Sequence, residues 1–130
     1  MSKLGDAYQD AVADVARKIF PDAKVEVGQW IHGPDGRRDL DVVVYAEPAS
    51  KNRQLLIECK DWNRPIGIAE IDALESKRRD LPVKIAMICS NSGFTADALR
   101  KAARVGMPTL SALMEGDDRN VTCLRHRPLP

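Results

Sequence analysis

Apolar residues near the start of the chain recur every three or four positions, a spacing that predicts an amphipathic helix over residues 4–20. They are Leu4, Tyr8, Val12, Val15 and Ile19. The period then shortens to about two, and β-rich stretches cover residues 24–32, 37–47 and 54–60. Short segments rich in turn formers separate them, the first being GPDG at 33–36. This order predicts a helix followed by an antiparallel meander of three strands.

The second half of the chain alternates helices with strands. Ile68, Ile71 and Leu74 are spaced as one face of a helix that runs to about Arg79. Residues 84–90 then form a nearly continuous apolar run, which is typical of a strand covered on both faces. These two segments predict a crossover from the meander to a further strand.

A third helix and a fifth strand complete the pattern. Thr95 is a suitable N-cap for the helix, Gly106 a suitable C-terminal stop, and TLSALM the strand that follows. The order α-β-β-β-α-β-α-β predicts a three-layer α/β domain on a mixed sheet, with a right-handed crossover after the third strand. We expect one domain over residues 1–130, with its core at about 4–114 and a tail or edge strand at 115–130.

The composition is that of a globular domain and does not identify a partner. With 130 residues and a net charge of +1, any basic surface must be local. The three cysteines are widely spaced and form no CxxC pair, which predicts reduced thiols instead of disulfides or a zinc site. The polar start lacks a signal-peptide pattern, and no apolar run approaches membrane-spanning length. We therefore expect a cytoplasmic protein without a membrane partner.

The second predicted strand carries carboxylates inside an apolar run. Strand alternation places Leu40, Val42 and Val44 on one face, and Asp39 and Asp41 on the other. A polar residue flanked by apolar neighbours in a strand needs a partner or a function.

The third predicted strand ends in charged residues. Alternation places Glu58 and Lys60 on one face, so pairing of the two strands would bring Asp41, Glu58 and Lys60 together near one end. Two neighbouring carboxylates suit a hard divalent ion such as Mg²⁺ or Mn²⁺, and a lysine beside it suits a phosphate. The alternative is a solvated strand end in which Glu58 and Lys60 pair with each other or with Asp61.

Three segments carry a family resemblance: GPDGRRDLDVVVY, IECKDW and NSGFTADALRKAA. The strand aspartate and the ExK triplet resemble the PD-(D/E)xK nuclease superfamily, and the three segments in this order resemble Mrr-type restriction endonuclease domains. The similarity spans about Tyr8 to Leu113. It implies the restriction-endonuclease-like fold, a three-layer α-β-α sandwich with a central mixed sheet.

The resemblance also implies an activity, that of a metal-dependent nuclease acting on DNA with Mg²⁺ or Mn²⁺ as cofactor. Asp41 and Glu58 would be the metal-binding carboxylates, and the backbone carbonyl of Cys59 a third ligand. Lys60 would position or help to activate the attacking water. Gln9 matches a first-helix position that supports the metal site in many relatives, and its alternative is a surface polar residue.

Several alternatives remain open from the sequence. Asp39 rivals Asp41, because both lie on the same strand face, whereas Asp35 falls in the turn. The chain shows no segment for sequence recognition. It would then be part of a larger multidomain nuclease, a nonspecific nuclease or a structure-selective junction resolvase, and a homodimer is a further possibility. The same fold without cleavage would be a DNA-binding module, and carboxylates in ordinary ion pairs would suit a regulatory domain.

Binding of DNA would depend on local groups, for which the candidates are Arg37, Arg38, Ser92 and Lys101. Backbone N–H groups near Ser92, at a strand-to-helix turn, would suit a phosphate, although an ordinary capped turn has the same sequence. We interpret the two tryptophans as core or rim residues instead of base-stacking platforms.

Overall fold

Three helices and six strands make up the described part of the chain, which is residues 4–115 and 120–124 of a computed structural model, with side chains described from 7 to 113. In chain order they are α1 (Leu4–Ile19), β1 (Lys24–Gly33), β2 (Gly36–Tyr45), β3 (Arg53–Lys60), α2 (Ile68–Asp80), β4 (Val83–Ser90), α3 (Ala96–Val105), β5 (Thr109–Glu115) and β6 (Asn120–Leu124). The predicted order of the first eight elements is confirmed. β6 lies in the stretch that was predicted as a tail or an edge strand, whose last residues, 125–130, are outside the described residues.

All six strands belong to one mixed sheet in the order β1-β2-β3-β4-β5-β6. The first three are antiparallel neighbours, as the meander predicts. The β3–β4 and β4–β5 pairs are parallel, and their connections run through α2 and α3, because parallel neighbours need a crossover. The C-terminal ends of β3, β4 and β5 therefore lie at the same edge of the sheet.

Helices cover both faces of the sheet and give three layers. On one face, α1 packs on a core that is completed by strand residues; its members include Tyr8, Val12, Ala16, Val25, Val42, Val44, Ile57 and Cys89. On the other face, α2 and α3 pack on a second core; its members include Leu40, Val43, Leu56, Ile71, Leu74, Ile88, Ala98 and Ala102. Burial of these apolar surfaces is the main favourable contribution to folding.

One side-chain hydrogen bond joins α1 to β5, and another caps the start of α3. In α1, the fully buried Tyr8 donates a hydrogen bond of 2.7 Å to the carbonyl of Ala112 in β5, and burial raises the pKa of its phenol. At the start of α3, Thr95 accepts from the amide of Ala98 at 3.1 Å, and Gly106 ends the helix in the left-handed region at φ 74°. Both predicted ends of α3 are confirmed.

The cover on β4 differs from the prediction along part of its length. Ile88, Cys89 and Ser90 are buried, so the C-terminal half is covered on both faces. Ile85, nearer the start, keeps 42% of its surface exposed. The apolar run alone does not show that Ile85 is exposed while Val83 and Ala86 beside it are buried.

At Asp41 the alternation of β2 side chains between the two faces of the sheet is interrupted. The register is continuous, but the pair of Gly28 and Asp41 is missing from the ladder, and Gly28 has a φ of 70°, which favours glycine. On one side of this break Val42 faces α1, and on the other side Leu40 packs in the core under α2 and α3. The prediction that Leu40 shares a face with Val42 was therefore wrong, because simple alternation does not continue through a broken pleat.

Candidate active site

The predicted carboxylates meet where β2 separates from β3. The ladder between these strands ends at the pair of Val42 and Ile57. Immediately beyond it, Oδ2 of Asp41 accepts a hydrogen bond of 2.8 Å from the amide of Cys59. The side chain of Asp41 thus bridges the two diverging strands, with Glu58 beside it.

The carboxyl group of Asp41 is largely buried and lies close to the acidic side chain of Glu58. Burial, followed by the charge of Glu58, raises the pKa of the Asp41 carboxyl from 3.8 to about 7. The amide of Cys59 and the charge of Lys77 act in the opposite direction. An added cation would therefore stabilise the doubly ionised pair, which is what a divalent metal supplies.

A lysine from α2 supplies the positive charge nearest to Glu58. Nζ of Lys77 lies 3.1 Å from Oε2 and 3.5 Å from Oε1 of Glu58, and it also donates to the main-chain oxygen of Asp39. Both partners are largely buried, with 14% and 12% of their side-chain surfaces exposed. The sequence interpretation missed Lys77, although it continues the three-residue spacing of Ile71 and Leu74 on the buried face of the helix.

Lys60 is held by an aromatic ring and not by a carboxylate. Its Nζ lies 5.3 Å from the ring centre of Trp62, and the guanidinium of Arg64 lies 4.3 Å from the same ring. Within the described residues Lys60 forms no ion pair. The alternative in which Lys60 pairs with Glu58 or with Asp61 is not what the structure has, because Glu58 pairs with Lys77 and Asp61 accepts from Asn91.

The segment after β3 is fixed by one asparagine from the end of β4. The amide of Asn91 donates to the carbonyl of Lys60 at 3.3 Å, and its side chain accepts from the amide of Trp62 at 2.8 Å. The same side chain donates to Asp61 at 2.7 Å. These bonds hold the end of the ExK triplet in place. The sequence offers no signal for this contact beyond an asparagine at a strand end.

Two of the cysteines are described with their side chains. Cys59 and Cys89 are thiols outside any disulfide, whereas the side chain of Cys123 lies outside the described residues. Burial raises the pKa of the Cys59 thiol far above its ordinary value, so it stays protonated at neutral pH. Any contribution of Cys59 to a metal site would come from its backbone.

Gln9 lies beside the break in the hairpin. Its side chain is half-buried, and a Cβ placed on Gly28 would be 3.8 Å from its Nε2. Since Gly28 stands opposite Asp41 in the register of β1 and β2, Gln9 reaches the side of the hairpin next to that carboxylate.

The rival aspartate points elsewhere. The carboxylate of Asp39 is exposed and pairs with Arg37 at 3.0 Å, so only its main chain contacts the site, through Lys77. Arg38, a predicted DNA contact, forms an ion pair with Asp80 at the end of α2.

The two other predicted DNA contacts lie apart from each other. The hydroxyl of Ser92 donates to the carbonyl of Arg64, which places it beside the segment that follows Lys60. Lys101 lies on α3, 3.4 Å from Asp72 of α2, on the outer surface of the helical layer.

Metal ligands in this corner are few. Among the described residues, no group of three or more His, Cys, Asp and Glu side chains is arranged to hold a metal ion. The pair of Asp41 and Glu58 matches the one or two carboxylates by which Mg²⁺ is usually held, with waters completing its shell. In the same part of the chain, no helix is long and apolar enough to cross a membrane.

Comparison with known proteins identifies the family. The model Mrr_cat, described as "Restriction endonuclease", matches residues 9–118. The chain belongs to the Mrr restriction endonuclease family. The predicted restriction-endonuclease-like fold is thereby confirmed.

One solved structure shares this fold at low sequence identity, and a second is less similar. The crystal structure of AF1548, a protein of unknown function, has a TM-score of 0.66 and 21% identity, over 81% of this chain and 58% of that one. AspBHI, a DNA modification-dependent restriction endonuclease, has a TM-score of 0.47 and 14% identity, over 80% of this chain and 27% of that one. The Mrr domain described here thus spans little more than half of the first protein and about a quarter of the second. A comparison with curated protein sequences gives no match.

Proposed function

We propose that this Mrr domain is a metal-dependent endonuclease that hydrolyses phosphodiester bonds of DNA. The observation that carries the proposal is the meeting of Asp41 and Glu58 at the divergence of β2 and β3, with Lys60 two residues further on. Membership of a restriction endonuclease family gives this arrangement its reaction class.

Asp41, Glu58 and the backbone carbonyl of Cys59 would hold the ion, Mg²⁺ or Mn²⁺. The raised pKa of Asp41 supports this role, because burial and then the neighbouring charge of Glu58 disfavour its ionised form, and a bound cation would offset both. A bound ion of this kind polarises a phosphodiester and lowers the pKa of a water molecule.

The side chains around the carboxylates would orient the attacking water, stabilise charge on the phosphate and support the metal ligands. Among the described residues Lys60 has no acidic partner. Its ammonium can orient water or stabilise charge on a phosphate oxygen, and Trp62 limits its freedom. Lys77 would orient Glu58 and balance its charge through their ion pair. Gln9 would support the Asp41 side of the hairpin.

DNA would be held by local groups, since the net charge is only +1. Ser92 lies beside the segment that follows Lys60. Arg37 and Arg38 would bind phosphates only if their ion pairs with Asp39 and Asp80 opened. A homodimeric or multidomain context is part of the proposal, because one Mrr domain covers a fraction of each similar structure. A cytoplasmic location remains a prediction.

One observation favours a second function, that of a DNA-binding module without cleavage. Lys77 already neutralises Glu58, as would be expected of a structural ion pair. The two functions differ in whether a divalent ion binds in this corner.

A nicking assay tests the proposal. The protein is incubated with supercoiled, linear, single-stranded and branched DNA in Mg²⁺, Mn²⁺ or EDTA, with Asp41→Asn as the control. We expect cleavage only with metal and only by the parent protein. Selective cleavage of the branched substrate would identify a junction resolvase, and binding without cleavage would favour the second function. Undiminished cleavage in EDTA would contradict the metal mechanism.

A further inference from the structure

The hairpin of β1 and β2 extends past the sheet as a two-stranded arm, which we define as residues 29–40. β3 pairs with β2 only as far as Val42, so the arm has no third strand beside it. Its inner face packs on the α2 side through Ile31 and Leu40. The ion pair of Arg38 with Asp80 fastens the same face to the end of α2.

The outer face of the arm presents an exposed tryptophan in a defined setting. Trp30 and Asp39 are cross-strand partners, and so are His32 and Arg37, so these four exposed side chains share one face. Trp30 keeps 49% of its surface exposed. The guanidinium of Arg37 lies 4.7 Å from the centre of its ring, and the ring of His32 meets it edge to face at 5.2 Å. These contacts orient the indole and leave its other face free of them.

Along β2, this face ends two residues from Asp41. The main-chain oxygen of Asp39, the partner of Trp30, accepts from Lys77, which is paired with Glu58. Asp39 is two residues from Asp41, a distance of about 7 Å along a strand. Because stacked nucleotides rise by about 3.4 Å each, Trp30 lies within the reach of a few nucleotides of a phosphate at Asp41.

Charge on the outer face argues for a base and against a phosphate. Arg37 is already paired with Asp39 at 3.0 Å, so its attraction for a phosphate is offset by a neighbouring carboxylate. An aromatic ring next to a neutralised cation suits the π-face of a base, on which stacking depends. Bases inside a duplex have both faces covered, so such a contact requires an unpaired base.

We propose that the outer face of the arm, with Trp30 as the platform, stacks an unpaired DNA base beside the phosphate to be cleaved. The proposal rests on the proposed nuclease function and deepens it, since it makes DNA with a single-stranded or unpaired segment the preferred substrate. Our interpretation of Trp30 from sequence as a core or rim residue would then be replaced.

Binding measurements without cleavage test the platform. Labelled DNAs of three forms, a single strand, a blunt duplex and the same duplex with a short gap, are titrated in Ca²⁺ and followed by fluorescence anisotropy. Trp30→Ala should weaken binding of the single strand and the gapped duplex by about 5- to 100-fold, the range for losing one stacked base, and binding of the blunt duplex by less than about 2-fold. Trp30→Phe should recover most of the loss. Phe20→Ala, which removes an exposed aromatic at the opposite end of the sheet, should change nothing.

A second readout locates the contact. In a Trp62→Phe background, Trp30 is the remaining tryptophan of the chain, and the single strand should quench its emission. Equal weakening of all three DNAs by Trp30→Ala, no weakening of any, or no binding of DNA by the parent protein would each overturn the platform. If the parent protein binds the gapped DNA in a way that Trp30→Ala weakens, but cuts nothing in Mg²⁺ or Mn²⁺, the nuclease function is refuted and the stacking site is not.

Discussion

Lys77→Met is the substitution that most sharply separates the charge balance of the site from its packing. Methionine keeps the unbranched apolar stem of lysine on the inner side of α2 and removes only the ammonium. Glu58 would then lie beside Asp41 without its buried cationic partner. We expect the metal-free protein to lose stability and the affinity for a divalent ion to rise.

The magnitude follows from the geometry of the pair. Two unit charges about 3 Å apart attract by roughly 5 kcal/mol at an effective dielectric constant of about 20, and desolvation offsets part of this. Removing one partner of a buried pair typically costs about 3–5 kcal/mol. Because 14% of Lys77 and 12% of Glu58 remain exposed, and the acids can take up a proton, we expect about 3 kcal/mol.

Urea unfolding at pH 8 in EDTA measures this loss, since a domain of this kind has only about 5–15 kcal/mol to lose. Repeating the unfolding in Ca²⁺ measures the gain from metal binding, which should be larger for Lys77→Met than for the parent. Calorimetric titration with Ca²⁺ should give an affinity at least about tenfold higher, or roughly 1.4 kcal/mol. Lys84→Met, which removes an exposed lysine near the start of β4, is the matched control.

Two results would refute this reasoning. Unchanged stability in EDTA would show that Lys77 does not compensate the carboxylates. Weaker Ca²⁺ binding by the variant would show that Lys77 organises Glu58 for the metal instead of competing with it.

Three further predictions concern the remaining charged groups. Asp41→Asn should abolish Ca²⁺ binding and DNA nicking while Asp39→Asn loses much less of both, because the carboxylate of Asp39 pairs with Arg37; the reverse order would move the site toward the turn. Lys60→Ala should keep Ca²⁺ binding in calorimetry but lose nicking by roughly 10²- to 10⁴-fold, and a parent-like rate would remove its catalytic role. In EDTA, stability from urea unfolding should fall by up to roughly 4 kcal/mol as the pH rises from about 4 through 7, because the folded pKa of Asp41, about 7, lies above its ordinary value of 3.8. Asp41→Asn should flatten that curve, and a stability that rises over this range would contradict the raised pKa.

The order of elements followed from the sequence because each element carries its own local signal. The helix spacing of α1, the N-cap at Thr95 and the stop at Gly106 depend on neighbours within a few residues. The side on which Leu40 packs cannot be predicted from its close neighbours. It depends on a backbone break at Gly28, twelve positions earlier on the partner strand. A glycine within a strand pattern was the available signal for that break.

The site residues on neighbouring strands could be predicted from the sequence, whereas those that come from more distant elements could not. Glu58 and Lys60 lie on one strand, and Asp41 follows once β2 and β3 are paired. Lys77 and Asn91 reach the same corner from α2 and from the end of β4, so their contacts depend on how these elements pack on the sheet. Spacing alone does not reveal such contacts.

The packing of α2 therefore sets the charge balance of the site. Leu74, with 2% of its surface exposed, lies one turn before Lys77 and is fixed in the core. Its depth determines how far Nζ of Lys77 reaches toward Glu58, and a movement of about 1 Å would lengthen a 3.1 Å ion pair enough to weaken it markedly. The chemistry of the two carboxylates is thus linked to an apolar contact on the helix above them. The charge balance of this site therefore depends on Lys77 from α2 as well as on the ExK triplet of β3.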